Sequence, residues 1–212
     1  MRIDRAGVPF VLGALVPAGA AWWAGVPWLA LGLAALAAGL ALFFRDPERP
    51  VPADDAGMVL SPADGRVMVA GACQPGVPPP GHWQQISIFL SPLDVHINRL
   101  PYSGTVTQVE LRRGRFLAAY KPESAVENER SEVWIQRGAT TVVCRQIVGM
   151  LARRVVCRIA PGAAAVAGAR FGLMKFGSRM DVFVPPDARI LVSPGDRVLG
   201  GVTVIARLDG GR

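Results

Sequence analysis

Three side chains of this sequence could together perform nucleophilic chemistry: Asp64, His96 and Ser178. A carboxylate, an imidazole and a hydroxyl can serve as acid, base and nucleophile, and their order along a chain is not fixed. Ser178 follows Gly177, and a Gly-Ser bond can cut itself and turn the serine into a prosthetic group. The pair alone is weak evidence, since a chain of 212 residues with 24 glycines has about one such pair by chance. The case for a site therefore depends on the neighbouring sequence.

Asp64 and His96 each lie next to the end of a predicted strand. Asp64 belongs to Ser61-Pro62-Ala63-Asp64-Gly65, a turn where a carboxylate more often caps backbone amides than performs chemistry. His96 follows the apolar residues 86–90, and a lone histidine is more often structural or exposed. Taken singly, both residues have a structural explanation, and only their combination with Ser178 predicts a site.

The N-terminal part of the chain is apolar and uncharged. Residues 6–44 contain no Asp, Glu, Lys, Arg or His, and such a run is long enough for two short membrane segments of about 20 residues each. Gly25-Val26-Pro27 interrupts the run near its middle, where glycine and proline favour a turn. The run therefore predicts a helical membrane hairpin, with helices over about residues 6–24 and 27–44.

Residues at the turn and at the ends of this hairpin predict its orientation. Tryptophans near the turn are typical of a membrane interface: Trp22, Trp23 and Trp28. Arginines flank the apolar run on both sides: Arg2, Arg5, Arg45 and Arg49. We therefore expect both ends, and the domain that follows, on the cytoplasmic face of the inner (cell) membrane. A shallow re-entrant hairpin stays open as an alternative, whereas a cleaved signal peptide fits less well because the run exceeds a typical h-region.

After Pro50 the pattern changes to short strand-like runs separated by glycine and proline. The predicted strands cover residues 65–70, 83–90, 104–111, 133–137, 140–148, 153–159, 180–184, 189–192 and 202–208. Many short strands without long amphipathic helices predict a mainly β fold, a β-sandwich or hybrid barrel. The polar residues 121–130 are the best candidate for a mobile loop over a site. The predicted organisation is thus a membrane-anchoring hairpin, residues 1–46, and a β-rich catalytic domain, residues 47–212.

The net charge of +7 raises the question of an anionic partner. No nucleic-acid partner is expected, because the chain has no recognisable nucleic-acid module and its arginines are scattered among predicted strands. An anionic membrane surface fits better. Two arginine clusters could meet phosphate headgroups or simply be solvated: residues 112–115 and residues 153–154. A homo-oligomer stays open.

The cysteines and histidines narrow the chemistry by exclusion. Cys73, Cys144 and Cys157 are widely spaced and form no Cys-x-x-Cys pair, so neither a disulfide framework nor a zinc site is predicted. The two histidines, His82 and His96, are too few for a histidine-rich metal site. We therefore expect a protein that works without metal.

Five stretches, in this order, resemble the signature motifs of the phosphatidylserine decarboxylases, and in particular of their short bacterial and archaeal branch. They are Phe43-Phe44-Arg45-Asp46-Pro47-Glu48-Arg49, Ser61-Pro62-Ala63-Asp64-Gly65, Ser91-Pro92-Leu93-Asp94-Val95-His96-Ile97-Asn98-Arg99, Gly114-Arg115-Phe116 with Glu127-Asn128-Glu129-Arg130, and Phe176-Gly177-Ser178. The resemblance extends over about residues 43–208. Five motifs in the right order are highly specific.

The resemblance implies a zymogen that cuts itself between Gly177 and Ser178. Ser178 would attack the Gly177 carbonyl, with His96 as the base and Asp64 fixing the imidazole tautomer. Gly177 suits this step because it permits a strained backbone. The products would be two chains, residues 1–177 and 178–212, and the second would begin with a covalent pyruvoyl group made from Ser178.

In turnover, the resemblance implies a lyase of phospholipid biosynthesis whose partner is phosphatidylserine in an anionic membrane. The substrate amine would form a Schiff base with the pyruvoyl ketone, lose carbon dioxide and leave as phosphatidylethanolamine. His96 is expected to protonate the carbanion. Much of the family has a second histidine where this sequence has Arg99. His96 would therefore serve both steps here, or Asp94 or a water would help.

Two other classes of function stay open. A membrane-anchored serine autoprotease or peptidase could use the same Asp64, His96 and Ser178 in repeated turnover. A non-catalytic module is the second, because the Pro-Gly-Asp turn within residues 192–201 also occurs in biotinyl and lipoyl carrier domains. No modifiable lysine lies in that hairpin, which argues against the carrier.

Overall fold

The computed structural model describes residues 2–53, 57–150, 155–175 and 177–208. The chain divides into two compact units, Met1–Glu48 and Arg49–Arg212. The first unit contains β1 (Arg2–Ile3), α1 (Val8–Trp23), α2 (Pro27–Phe43) and β2 (Arg45–Asp46). That these two units serve as an anchor and a catalytic domain stays a prediction.

Two helices joined by a tight turn make up most of the first unit. Gly25 lies in the left-handed region, with φ +73°, and reverses the chain between α1 and α2. β1 pairs antiparallel with β2, so the chain enters and leaves the unit at the same end. Across the described residues, none of the helices combines the length and the apolar character needed to cross a membrane. The membrane hairpin stays a prediction.

The second unit consists almost entirely of strands. Its elements are β3 (Met58–Leu60), β4 (Gly65–Ala72), β5 (Gln84–Leu90), β6 (Ile97–Arg99), β7 (Gly104–Arg112), α3 (Ser124–Glu127), β8 (Arg130–Arg137), β9 (Thr140–Ile147), β10 (Val155–Cys157), β11 (Ala164–Ala165), β12 (Arg170–Met174), β13 (Ser178–Val184), β14 (Arg189–Ile190), β15 (Arg197–Val198) and β16 (Val204–Arg207). The prediction of a mainly β protein is confirmed. The finer assignment to a β-sandwich or hybrid barrel stays a prediction.

These strands form one large sheet and two small ones. The large antiparallel sheet has eight strands in the order β11-β7-β8-β9-β13-β5-β4-β15, and the small sheets have the orders β10-β12-β6 and β14-β16-β3. β13 occupies the middle of the large sheet, paired on one side with β5 and on the other with β9. The residue predicted as nucleophile, Ser178, is the first residue of this central strand.

The two faces of β13 differ in character. Alternate side chains of a strand point to opposite faces. Met180 and Val182 belong to the main apolar core. Arg179 and Asp181 are buried on the other face and form an ion pair at 2.7 Å. By the same alternation, the side chain of Ser178 lies on the core face with Met180.

The segment predicted as a mobile loop, residues 121–130, is partly helical. Its residues 124–127 form α3, and Arg130 already belongs to β8. The turn before α3 is closed by the Ser124 hydroxyl, which donates to the backbone oxygens of Ala119 and Lys121 at 3.0 and 2.6 Å. Serine favours such local contacts, and here they give order to a polar segment. The basic residues 153–154 of the second arginine cluster, and Phe176 of the last motif, lie outside the described residues.

Candidate active site

The connections that carry His96 and Ser178 join the same pair of sheets. β5 ends at Leu90, which is the partner of Ser178 at the start of β13. β6 begins at Ile97, which is the partner of Leu173 near the end of β12. The two connections, one from β5 to β6 and one from β12 to β13, therefore run side by side. The backbone amide of Met174 donates to the backbone oxygen of His96 at 3.3 Å, which holds them together.

Ser178 is fully buried at the end of one of these connections. Its hydroxyl has no hydrogen-bond partner among the residues that the structure describes. Buried polar groups nearly always have one, and an exception often marks a site of chemistry. Gly177 before it has φ +68°, a left-handed conformation that residues with a Cβ rarely adopt. The bond predicted to break thus follows a glycine in a left-handed conformation. It precedes a serine whose hydroxyl makes no hydrogen bond to the described residues.

His96 is fully buried at the end of the other connection. Its Nδ1 lies 2.9 Å from the backbone oxygen of Asp94. Because a carbonyl oxygen can only accept, Nδ1 must be the donor in this contact. In the neutral imidazole, the lone pair then resides on Nε2, which is the atom that can act as a base.

The Asp64 carboxylate contacts Arg49 and Gly200 in the second unit. One carboxylate oxygen is 2.6 Å from Nη2 of Arg49, and the other accepts from the backbone amide of Gly200 at 2.8 Å. Asp64 was expected to fix the tautomer of the His96 imidazole, and the Asp94 carbonyl also does so through its contact with Nδ1. The catalytic role of Asp64 toward His96 therefore stays a proposal, while its contacts tie the 61–65 turn to the turn at Gly200.

Asp94 and Arg99, the two predicted supporting residues, both stabilise the chain around His96. The Asp94 carboxylate accepts from the Ser91 amide at 2.8 Å and lies 3.5 Å from the Arg197 guanidinium. Arg99 is buried, and its Nη1 donates to the backbone oxygen of Gly168 at 2.9 Å. These contacts explain how the connection is held, and any direct part of either side chain in the chemistry stays a proposal.

A layer of buried polar side chains fixes the strand directly after Ser178. The Arg179 guanidinium donates to Asp181 at 2.7 Å, to Gln74 at 2.8 Å and to Ser87 at 2.9 Å. Arg179 is only 1% exposed. Charge-assisted bonds of this kind are short and directional. They hold the backbone at residue 178 in place from the face opposite the predicted site.

An apolar cavity of about 240 Å³ opens beside the Gly177–Ser178 bond. It is lined by Phe89, Pro92, Ala118, Ala119, Tyr120, Met150 and Gly177. Tyr120 and Met150, which line it, are 63% and 65% exposed. The sequence analysis missed this cavity because its lining comes from four separate segments of the chain.

Metal sites are built from donor side chains such as Cys, His, Asp and Glu. Among the described residues, no group of three or more His, Cys, Asp or Glu is placed to hold a metal ion. The expectation of metal-free chemistry stays a prediction. The three cysteines are free thiols, and burial raises the pKa of the Cys144 thiol well above its ordinary value. Cys144 therefore stays a neutral thiol in the apolar core.

Paired substitutions separate the structural and catalytic roles of Asp64. Asp64→Asn and Arg49→Gln both remove one largely buried ion pair, so we expect each to lower the free energy of unfolding by about 1–3 kcal/mol, between the values for exposed and fully buried pairs. Chemical denaturation of both variants measures this loss. If Asp64 also orients His96, cleavage at Gly177–Ser178 will slow in Asp64→Asn well beyond its slowing in Arg49→Gln. Equal slowing in the two variants would leave Asp64 with a structural role only.

Comparison with known proteins places the chain in a family. A model of the phosphatidylserine decarboxylase family matches residues 36–206. A protein of Symbiobacterium thermophilum named phosphatidylserine decarboxylase proenzyme is 48% identical, over 97% of this chain and 95% of that protein. A protein of the same name from Solibacter usitatus is 40% identical, over 98% of this chain and 97% of that protein. Another from Saccharopolyspora erythraea is 43% identical, over 96% of this chain and 87% of that protein. The chain belongs to the phosphatidylserine decarboxylase family.

Proposed function

We propose that this protein decarboxylates phosphatidylserine to phosphatidylethanolamine after it has cut itself between Gly177 and Ser178. The observation that carries the proposal is the buried Ser178 hydroxyl, which follows a left-handed glycine and has no partner among the described residues. The curated relatives bear the name proenzyme, which agrees with a chain that must be processed. The catalytic residues of the proposal are Ser178, His96 and Asp64.

Self-cleavage begins when His96 takes the proton of the Ser178 hydroxyl. The Ser178 oxygen bonds to the carbonyl carbon of Gly177, and the peptide C–N bond breaks, so that an ester replaces the amide. Loss of the Ser178 α-proton then breaks the bond between Cβ and the ester oxygen and frees Gly177 as a carboxylate. Water replaces the nitrogen at residue 178, ammonia leaves, and the pyruvoyl group remains.

The residues around Ser178 fit a pyruvoyl group that has to stay in place after the chain is cut. β13 lies between β5 and β9 and is paired with both over most of its length. The buried Arg179 side chain fixes the start of β13 by hydrogen bonds to Asp181, Gln74 and Ser87. β13 should therefore stay in the large sheet of the second unit after the chain is cut. We further propose that the three sheets of the second unit form a sandwich of the hybrid-barrel type around the main apolar core.

The chain's own residues position the substrate and move its protons. A pyruvoyl group supplies a ketone that takes up the electrons left when carbon dioxide departs. His96, with Nδ1 held by the Asp94 carbonyl, can hold a proton on Nε2 and return it to the substrate carbon. Burial of both Ser178 and His96 keeps bulk water from the reacting atoms.

The apolar cavity beside Gly177 is the proposed entry for the lipid. A serine headgroup that reaches residue 178 would leave its glycerol and the first acyl carbons against an apolar surface. The lining by Phe89, Tyr120 and Met150 matches that chemistry. Each buried CH₂ contributes about 0.8 kcal/mol. The cavity therefore favours a diacyl substrate over free serine.

The helical hairpin is the proposed membrane anchor, with the catalytic unit on the cytoplasmic face. Most buried positions of its two helices are alanines, such as Ala14, Ala18 and Ala30, whereas Trp23 and Trp28 are 93% and 74% exposed. Small residues at the helix contact and large apolar residues outside are typical of helices that pack in lipid. Such an anchor would keep the catalytic unit near a lipid substrate, since the headgroup of the lipid stays at the bilayer surface.

Intact-mass analysis of the purified protein, combined with an assay for carbon dioxide from phosphatidylserine vesicles, tests this proposal. We expect two chains, residues 1–177 and 178–212, and a short chain lighter by one ammonia than a peptide that begins with serine. An active protein with an unbroken chain would refute the proposal. A short chain with an ordinary amine, together with peptide hydrolysis, would favour the serine autoprotease or peptidase instead.

A further inference from the structure

We propose that Gly149 is a positioning residue for self-cleavage, because it leaves the space that the Gly177 carbonyl occupies. A Cβ on Gly149 would lie 1.7 Å from the Gly177 oxygen and 2.9 Å from its carbonyl carbon. Real Cβ atoms essentially never come within 3.0 Å of another heavy atom. No other amino acid at position 149 is therefore compatible with the present place of the bond that breaks. The inference rests on the proposed cleavage between Gly177 and Ser178.

Gly149 reaches this place because of where β9 ends. Ile147 is the last residue of β9 and pairs with Arg179 of β13. Two residues later, the chain passes Gly177 at the same end of the sheet. Gly149 itself has no left-handed φ, so its own conformation does not demand glycine. The close approach to the Gly177 carbonyl is the reason for glycine here.

The backbone next to Gly149 is held and cannot easily withdraw. The Val148 amide donates to the Glu129 oxygen at 3.1 Å, and the Val148 oxygen accepts from the Asn128 side chain at 2.8 Å. Asn128 is fully buried and also bonds the backbone amide and oxygen of Leu117, both at 2.8 Å. A methyl group at position 149 would therefore displace the Gly177 carbonyl rather than its own chain.

The close approach of Gly149 limits where the Gly177 carbonyl, the group that Ser178 would attack, can lie. A Cβ on Gly149 would lie nearly in line with the Gly177 C=O bond, because its distances to the carbon, 2.9 Å, and to the oxygen, 1.7 Å, differ by about one C=O bond length. It would therefore push the carbonyl group back along this bond and change its distance from the Ser178 hydroxyl. Lengthening the 1.7 Å contact to 3.0 Å requires a displacement of at least about 1.3 Å, and a misplacement of about 1 Å can already slow a reaction about 100-fold. We therefore expect Gly149→Ala to slow cleavage by about 100-fold.

Gly104→Ala is a matched control for the steric strain. A Cβ on Gly104 would lie 2.3 Å from the Gln136 oxygen and 2.8 Å from its carbonyl carbon, a comparable clash with a backbone carbonyl. Gly104 begins β7, which pairs with β8 and β11, and none of these three strands contains the cleavage site. Both substitutions should strain the fold, but only Gly149→Ala should disturb the Gly177–Ser178 bond.

The test compares cleavage with stability in the full chain. The unfolding temperature is measured for both variants in a Ser178→Ala background, where every molecule stays uncut, and cleavage is timed by denaturing electrophoresis with Ser178 present. We expect similar losses of stability, about 100-fold slower cleavage for Gly149→Ala, and less than threefold slower cleavage for Gly104→Ala. Cleavage of Gly149→Ala within threefold of wild type, or equal slowing in both variants, would overturn the inference.

A second variant keeps the test informative if Gly149→Ala folds poorly. The Ala119 methyl lies 3.5 Å from the place of a Cβ on Gly149 and limits its retreat. Ala119→Gly combined with Gly149→Ala is expected to cleave at least tenfold faster than Gly149→Ala alone, and no gain would count against the inference. If the wild-type chain is never cut, the proposed function itself is refuted. If the wild-type chain is cut and Gly149→Ala is cut at the same rate, only the role of Gly149 is refuted.

Discussion

Ser178→Ala is expected to remain a single full-length chain with no detectable decarboxylase activity. The substitution removes one oxygen, and that oxygen is both the nucleophile for the Gly177 carbonyl and the atom eliminated when the pyruvoyl group forms. Since the hydroxyl makes no hydrogen bond to the described residues, its loss should cost little stability. Denaturing electrophoresis, intact mass and carbon dioxide release measure the outcome.

Ser103→Ala is a suitable control for this experiment. Ser103 is also a buried serine, and its hydroxyl accepts from the Ala167 amide at 2.9 Å, far along the chain from the cleavage site. The control should lose about 1 kcal/mol of stability and still be cut. Cleavage of Ser178→Ala at the same bond would contradict the mechanism, because no other atom of residue 178 can form the ester.

Most of the long strands could be predicted from the sequence, whereas several shorter ones, among them β3, β6 and β12, were missed. Alternating and β-branched residues predicted strands over residues 104–111 and 140–148, which closely match β7 and β9. β3 and β6 have only three residues each, too few for a periodic pattern. β6 is the strand that positions His96, so the element most relevant to the site was invisible in the hydropathy pattern.

The start of β13 shows why polar strand ends were missed. The predicted strand began at residue 180, whereas the observed strand begins at Ser178. Arg179 and Asp181 are charged residues that hydropathy places in solvent, but each is the buried partner of the other. Such a pair becomes favourable only when the tertiary structure supplies further hydrogen bonds, here from Gln74 and Ser87.

The candidate site was predictable in its residue types and unpredictable in its contacts. Gly177, Ser178 and His96 were chosen from their motifs, and the pairing of β5 with β13 and of β6 with β12 brings their segments together. The partners of Asp64 are Arg49 and Gly200, and that of Gly149 is Gly177. These contacts join residues that are far apart in the sequence, so no local sequence pattern predicts them.

His96 carries the second of the two largest expected effects. A positioned general base typically contributes 10²–10⁴-fold, so we expect His96→Ala to slow cleavage by about 100-fold or more. His82, the other histidine of the chain, is exposed and serves as the control. His82→Ala should be cut at the wild-type rate, as timed by denaturing electrophoresis after synthesis.

A second substitution at position 96 distinguishes the roles of the two imidazole nitrogens. An asparagine amide can place its nitrogen near the position of Nδ1 and keep the bond to the Asp94 oxygen, but it has no atom at the position of Nε2. We therefore expect His96→Asn to be more stable than His96→Ala and just as slow in cleavage. Wild-type cleavage in His96→Asn would mean that the imidazole only holds the turn at Asp94, and that another group takes the proton from Ser178.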